Sequence, residues 1–126
     1  MVLFTSYLGY LNSREFKERW ADRDLEVIYI MIHRGNPEVE PDLATLDLYK
    51  RGLISWSRYE AAYLMKLEER EAIRWMRDIA REAHSRDVVL VCFEKHPPCH
   101  RFVLARAISE RFGVPYLGEL SDQDLA

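Results

Sequence analysis

Val88-Val89-Leu90-Val91-Cys92-Phe93-Glu94-Lys95-His96-Pro97-Pro98-Cys99-His100-Arg101 joins six consecutive apolar residues to a polar turn and the start of a new periodic segment. An apolar run of this length, rich in valine and without alternation, reads as a strand covered on both faces, the usual pattern in a parallel sheet. Proline is tolerated in a first helical turn, so a helix is expected to open around Pro98 or Cys99. Phe102, Ala105, Ile108 and Phe112 give that helix a buried face, and Gly113 followed by Pro115 stops it.

Working outward, residues 2–6 read as a first strand. Asn12 is placed to cap a helix, with Glu15 at the capping-box position and Leu11 and Phe16 as a staple around it. Residues 26–32 read as a second strand, its apolar residues running from Val27 to Ile32 without alternation and so expected to be covered on both faces. Residues 33–42, with Gly35, Pro37 and Pro41, form a long irregular connection of the kind that is either functional or mobile. Residues 43–50 suggest a short helix ended by Gly52. Ser57 and Glu60 suggest a second capping box, on a helix with the stripe Trp56, Tyr59, Tyr63 and Leu67, which reads as core. In the next helix Ala72, Met76, Ile79, Ala80 and Ala83 mark the buried face. Its other face carries Arg70, Arg74, Arg77 and Arg81 among acids, a mixed pattern that reads as solvated. Residues 114–117 suggest a last strand, and residues 119–126 an acidic, frayed tail. Strands alternating with helices give an α/β fold: one small domain over residues 1–126, with a three- to four-stranded, mainly parallel sheet flanked by helices.

The chain has 126 residues, 48% of them hydrophobic, which is enough for one core without a disulfide or metal staple. Two cysteines exclude a disulfide scaffold, and no apolar run approaches the ~20 residues of a spanning helix, so no membrane partner is expected. No basic stretch leads into an apolar segment at the N-terminus, and the expected location is a reducing cytoplasm. With 18 basic and 21 acidic side chains, the net charge of −3 argues against a surface built wholly for nucleic acid.

Ligands of open α/β sheets bind outside the carboxyl ends of the strands, beside helix N-termini. That rule gathers Thr5, Ser6 and Tyr7 from the first strand, His33 and Arg34 from the second, and Glu94, Lys95, Cys99, His100 and Arg101 from the third. A helix start at Cys99 would offer free N–H groups to an anion, with Arg101 and Lys95 as further donors, and its dipole would favour a Cys99 thiolate. In the competing reading Arg101 pairs with Glu94 or another acid and Cys99 merely packs. Cys92, inside the strand, reads as a core residue. The spacing of Cys92, His96, Cys99 and His100 fits none of the common zinc frameworks, so no metal is expected; nor is Cys92–Cys99 the close arrangement of a redox pair. His84 ends a helix, where a cation suits the dipole.

The segment Val-Leu-Val-Cys92-Phe-Glu94-Lys95, followed by Cys99-His100-Arg101 and an apolar helix, resembles the signature of the domain of unknown function 488 family. Phe4-Thr5-Ser6-Tyr7 is similar to the family's first strand, and Asp42-Leu43-Ala44-Thr45 to a divergent form of its Leu-Ala-Pro-Ser turn, without the proline. Leu48 to Gly52, Ile54-Ser55-Trp56 and Tyr59 through Tyr63 resemble its helical middle. The resemblance implies a small α/β fold and carries no established reaction. It places Cys92, Glu94, Lys95, Cys99, His100 and Arg101 in the site region; the proline-rich spacer with His96 departs from the acidic residues often found there.

The resulting expectation is a protein that binds a small anionic ligand, a nucleotide or phosphorylated metabolite, at the Cys99-His100-Arg101 helix start, without a cofactor. If it catalyses, Cys99 is the nucleophile and His100 the proton carrier. Arg101 and Lys95 hold the anion, with Glu94, Thr5, Tyr7 and Arg34 contributing. Two other classes remain open: a non-catalytic nucleic-acid accessory protein using the arginine-rich face, and an oligomeric partner using the Trp56–Tyr63 stripe.

Overall fold

In the computed structural model, which describes residues 1–122, four strands form one sheet in the order β2-β3-β1-β4. They are β1 (Leu3–Tyr7), β2 (Leu25–Tyr29), β3 (Asp87–Cys92) and β4 (Tyr116–Glu119), and every pairing is parallel. The helices are α1 (Leu8–Leu11), α2 (Arg14–Trp20), α3 (Leu43–Lys50), α4 (Trp56–Lys66), α5 (Arg70–Ser85) and α6 (His100–Phe112), with a 3-10 turn at Pro37–Val39. This is the small, parallel α/β domain expected. No described helix is long and apolar enough to cross a membrane.

The apolar run at 88–92 is central for the reason its composition suggests. Alternate β3 side chains feed two cores: Val88, Leu90 and Cys92 join the one built on α4, α5 and α6, and Val89 and Val91 join Tyr7, Tyr10 and Leu11 on the other face. Continuous apolarity arises because both faces are dry. Strand β2 departs from expectation. It is shorter than the apolar run that suggested it and lies at the sheet edge, half-buried along its whole length. The surplus residues Ile30 and Met31 are buried all the same, beyond the strand end.

Two caps lie beside the positions the sequence suggested. Ser13, not Asn12, starts α2, its Oγ accepting the Phe16 N–H at 3.1 Å, while Asn12 closes α1. Ser55, not Ser57, starts α4 by accepting the Arg58 N–H. At each place two cap-competent residues stand close together, and the backbone turn, which local sequence does not encode, selects one. Gly113 ends α6 in the left-handed conformation (φ 71°), as its position suggested. The last strand begins at Tyr116 instead of residue 114, and its register against β1 shifts by one between Leu3 and Phe4, beside Gly118 (φ 110°).

The tail placed from 119 onward starts later. Glu119 closes β4 opposite Thr5, the Leu120 N–H donates to Thr5 O (2.7 Å), and Ser6 Oγ donates to Leu120 O (2.7 Å). The remainder of that tail, 123–126, lies outside the described residues. The irregular connection 33–42 is tied down along its length. Asn36 donates to Tyr29 O (2.7 Å) and accepts from the Trp75 indole (3.0 Å), and the Tyr63 hydroxyl donates to Val39 O (2.6 Å). Trp75, which the helical reading of α5 left off the buried face, is what anchors it.

Candidate active site

Parallel pairing brings the carboxyl ends of β1, β2 and β3 to one edge, and the chain leaving β3 returns there as α6. Cys92 is the last residue of β3 and shares a face with Leu90; Cys99 is the N-cap of α6, and His100 its first helical residue. The three side chains meet. His100 Nδ1 lies 3.7 Å from Cys92 Sγ and 3.7 Å from Cys99 Sγ. His100 Nε2 lies 2.9 Å from Ile30 O, just past the end of β2. A carbonyl only accepts, so Nε2 carries a proton; in the neutral ring Nδ1 is then the free base beside Cys99, while Cys92 Sγ lies against the ring within reach of both nitrogens, 3.5 Å from Nε2. Tyr63 packs edge-on against the imidazole at 5.4 Å and fixes its plane.

The two thiols are pushed apart. Interaction with the neighbouring Cys92 thiol, then His100, holds Cys99 well below the ordinary thiol range against the opposing effect of burial. The nearby Arg101 backbone N–H, which closes no cap hydrogen bond, favours the thiolate as well. Burial, reinforced by Cys99, pushes Cys92 well above that range. One negative charge is therefore shared by the pair and resides on Cys99, at the positive end of α6. The anion that this helix start attracts is the protein's own sulfur.

Both sulfurs and the imidazole line the floor of a cavity of about 320 Å3. Tyr49, Trp56 and Tyr59 form one wall, with ring centroids 5.0–5.5 Å apart. Met31, Ile32, His33 and Pro41 supply the other wall from the tied connection, and Phe93 and Pro98 come from the β3–α6 loop. Lys50 and Glu94 also line it and pair with each other at 3.2 Å, both about half-exposed.

Of the residues gathered at the sheet edge in sequence, Cys99 and His100 reach this floor, and His33 and Glu94 line the cavity. The others are elsewhere. Arg101, expected to grip a ligand, has no exposed surface. Its guanidinium spans to Glu119 through Nε (3.2 Å) and Nη2 (2.7 Å) and donates to the carbonyls of Glu94 (2.6 Å) and Lys95 (3.3 Å). This corrects its role: Arg101 clamps the β3–α6 loop to β4, close to the competing reading, although the acid is Glu119 and Glu94 contributes its backbone. Thr5 is buried against the Tyr116 hydroxyl (2.8 Å). Tyr7 and Lys95 border a separate, smaller depression with His96 and Phe102, and the Tyr7 hydroxyl points to Asp122 at 3.5 Å. Arg34 is exposed and lies 6.0 Å over the Phe93 ring.

The residue pattern alone made Cys92 a core residue, and only the family resemblance put it in the site region; Tyr49, Trp56 and Tyr59 were missed as pocket wall. A signal for Cys92 was present: its parity with Val88 and Leu90 puts it on the face that α6 covers, under the helix start bearing Cys99. The aromatic stripe is both things at once, since Tyr59 and Tyr63 are core, yet Tyr59 and Trp56 also turn an edge to the cavity.

Fold and site together define a small parallel α/β domain with a paired-thiol and imidazole centre at the carboxyl edge of its sheet. The chain belongs to the DUF488-N3a family, described as the active DUF488-N3 subclade, whose model matches residues 31–112, about two-thirds of the chain. No curated protein and no solved structure matches it.

Proposed function

We propose that the protein is a thiol-dependent enzyme acting on a small, flat molecule held in the aromatic pocket, with Cys99 as nucleophile and His100 as proton carrier. The observation that carries this reading is the position of Cys99 Sγ, at the N-terminus of α6, 3.7 Å from His100 Nδ1 and on the cavity floor. His100 Nδ1 holds the proton taken from the thiol. As the sulfur bonds to an electrophilic carbon and the bond to the leaving group breaks, that proton passes to the leaving group. The family description, an active subclade, agrees with a catalytic role.

The pocket's chemistry narrows the ligand. Tyr49, Trp56 and Tyr59 favour a planar ring by stacking and edge contacts. Lys50, already paired with Glu94, can receive one acidic substituent at the mouth. A single lysine so paired, with Arg101 turned inward, offers less than a nucleotide's multiply charged phosphates require, so the anionic ligand is reduced to a ring with one acidic group. The arginine-rich face of α5 gives nucleic acid no comparable support, because its charges alternate with acids, as in the Arg81–Asp78 pair.

The test is alkylation by iodoacetamide across pH, with each thiol followed by peptide mass. Cys99 should react at full rate well below the ordinary thiol value of about 8.5, and Cys92 should lag throughout. Labelling of Cys99 only near that value would end the nucleophile assignment.

A further inference from the structure

We infer that Cys92, Cys99 and His100 bind one zinc ion, with the fourth coordination position open to the aromatic pocket. Among the described residues these three form the one group of histidine, cysteine and acidic side chains with mutual geometry suited to a metal, all donor atoms lying within 4.8 Å of one another and all three residues buried. Zinc bonds of about 2.3 Å to sulfur and 2.0–2.1 Å to nitrogen put tetrahedral S···N edges at about 3.6 Å. Both sulfurs lie 3.7 Å from His100 Nδ1, Cys99 at the required edge length and Cys92, now also 3.5 Å from Nε2, needing a side-chain rotation toward the Nδ1 side to close the site.

The surroundings match a metal site as well as the donors do. A ligating histidine normally donates its other N–H to a carbonyl or carboxylate, which fixes ring and tautomer. Ile30 O accepts from Nε2 at 2.9 Å and leaves Nδ1 for the metal. Two thiolates cancel a divalent charge, so loading buries no net charge and expels the Cys92 thiol proton. Soft sulfur ligands with one imidazole select zinc over magnesium or calcium, and three protein ligands with one open position are the pattern of a catalytic site, not a structural one. The separation of six residues between the two cysteines hid this in the sequence, because strand end and helix start, not a knuckle, bring them together.

The inference rests on reading this pocket as the functional centre, but not on Cys99 acting as a nucleophile. Loaded, the Cys99 sulfur is a ligand and is withdrawn from alkylation; metal-free, it is the thiolate on the pocket floor. Zinc occupancy thus switches the site between two chemistries.

Cobalt(II) titration of the reduced full chain tests it. One equivalent should produce the visible absorption of tetrahedral cobalt together with near-ultraviolet thiolate charge transfer, and one equivalent of zinc should abolish both and protect both thiols from iodoacetamide. Cys92→Ala, checked as folded by circular dichroism, should lose the cobalt spectrum yet keep an alkylatable Cys99. His100→Ala should lose it too. A folded, reduced wild type that gives no tetrahedral spectrum, or a spectrum that survives in both variants, overturns the metal site. Failure of Cys99 to label in the metal-free protein overturns only the nucleophile, so the two readings fall separately.

Discussion

Replacing Glu119 by alanine probes what holds the β3–α6 loop in place. Arg101 is fully buried; burial works against its charge, and the Glu119 carboxylate together with the nearby Cys99 and Cys92 sulfurs more than offsets that penalty. Breaking a buried pair by removing one partner typically costs 3–5 kcal/mol, roughly, because the remaining charge is left uncompensated. The Glu119 side chain is 20% exposed, so water can enter where it stood, and Arg101 keeps its bonds to the Glu94 and Lys95 carbonyls. The lower end, about 3 kcal/mol, is therefore expected. In a domain of this length that corresponds to a fall in Tm of about 12 °C. Circular dichroism melts and urea titrations of wild type and Glu119→Ala measure it, with Arg101→Met/Glu119→Leu as control. The double variant should recover much of the loss, since an apolar pair of similar volume costs little. A Tm within about 3 °C of wild type for Glu119→Ala would refute the idea that this pair carries the loop, because a loss under about 1 kcal/mol is what an exposed ion pair gives.

Stability should rise with pH from the acid side up to about 8.5 and then decline. The depressed Cys99 value contributes stability that is complete above the unfolded thiol value and lost as pH falls through the folded one. The raised Cys92 value contributes stability present below the unfolded value and lost as pH rises beyond it. Urea titrations at several pH values should show this maximum, and Cys99→Ser should flatten its acid limb; an unchanged limb would refute the thiolate assignment. The helix caps give a sharper local check: Ser13→Ala and Ser55→Ala should each cost about 1 kcal/mol, and Asn12→Ala and Ser57→Ala almost nothing, read as urea midpoints.

What was legible follows from what is local. Alternation of apolar and polar residues is absent from residues 88–93, and that alone located the central strand. The capping, stop and parity signals around Cys99, Phe102 and Gly113 likewise placed α6 and the thiol at its start. The partners of Arg101 were not legible, because Glu119 sits 18 residues on and meets it only after α6 has crossed back and β4 has paired with β1. The edge position of β2 was hidden for a similar reason: Val27 to Ile32 is as apolar as a central strand, yet its length was spent partly on the buried connector at Ile30 and Met31. The pocket wall was masked by economy of another kind, since Trp56 and Tyr59 satisfy a helical stripe and line the cavity with the same rings.

The internal use of Arg101 also sets the sign of a coupling between loop and site. Cys99 is one of the charges that act on Arg101, and the effect is mutual: a guanidinium released from Glu119 would present its full charge to the sulfur instead of a neutralised pair. Glu119→Ala should therefore make the protein less stable and Cys99 more acidic at once. A merely loosened fold would do the reverse, since solvent entering the floor would separate the sulfur from Cys92 and His100 and return it toward an ordinary thiol. Alkylation profiles of the variant, taken well below its melting temperature, decide between the two: a shift to lower pH means that Arg101 and Glu119 tune the thiolate as well as anchor the loop, and a shift to higher pH means that the clamp acts on Cys99 only by holding it in place.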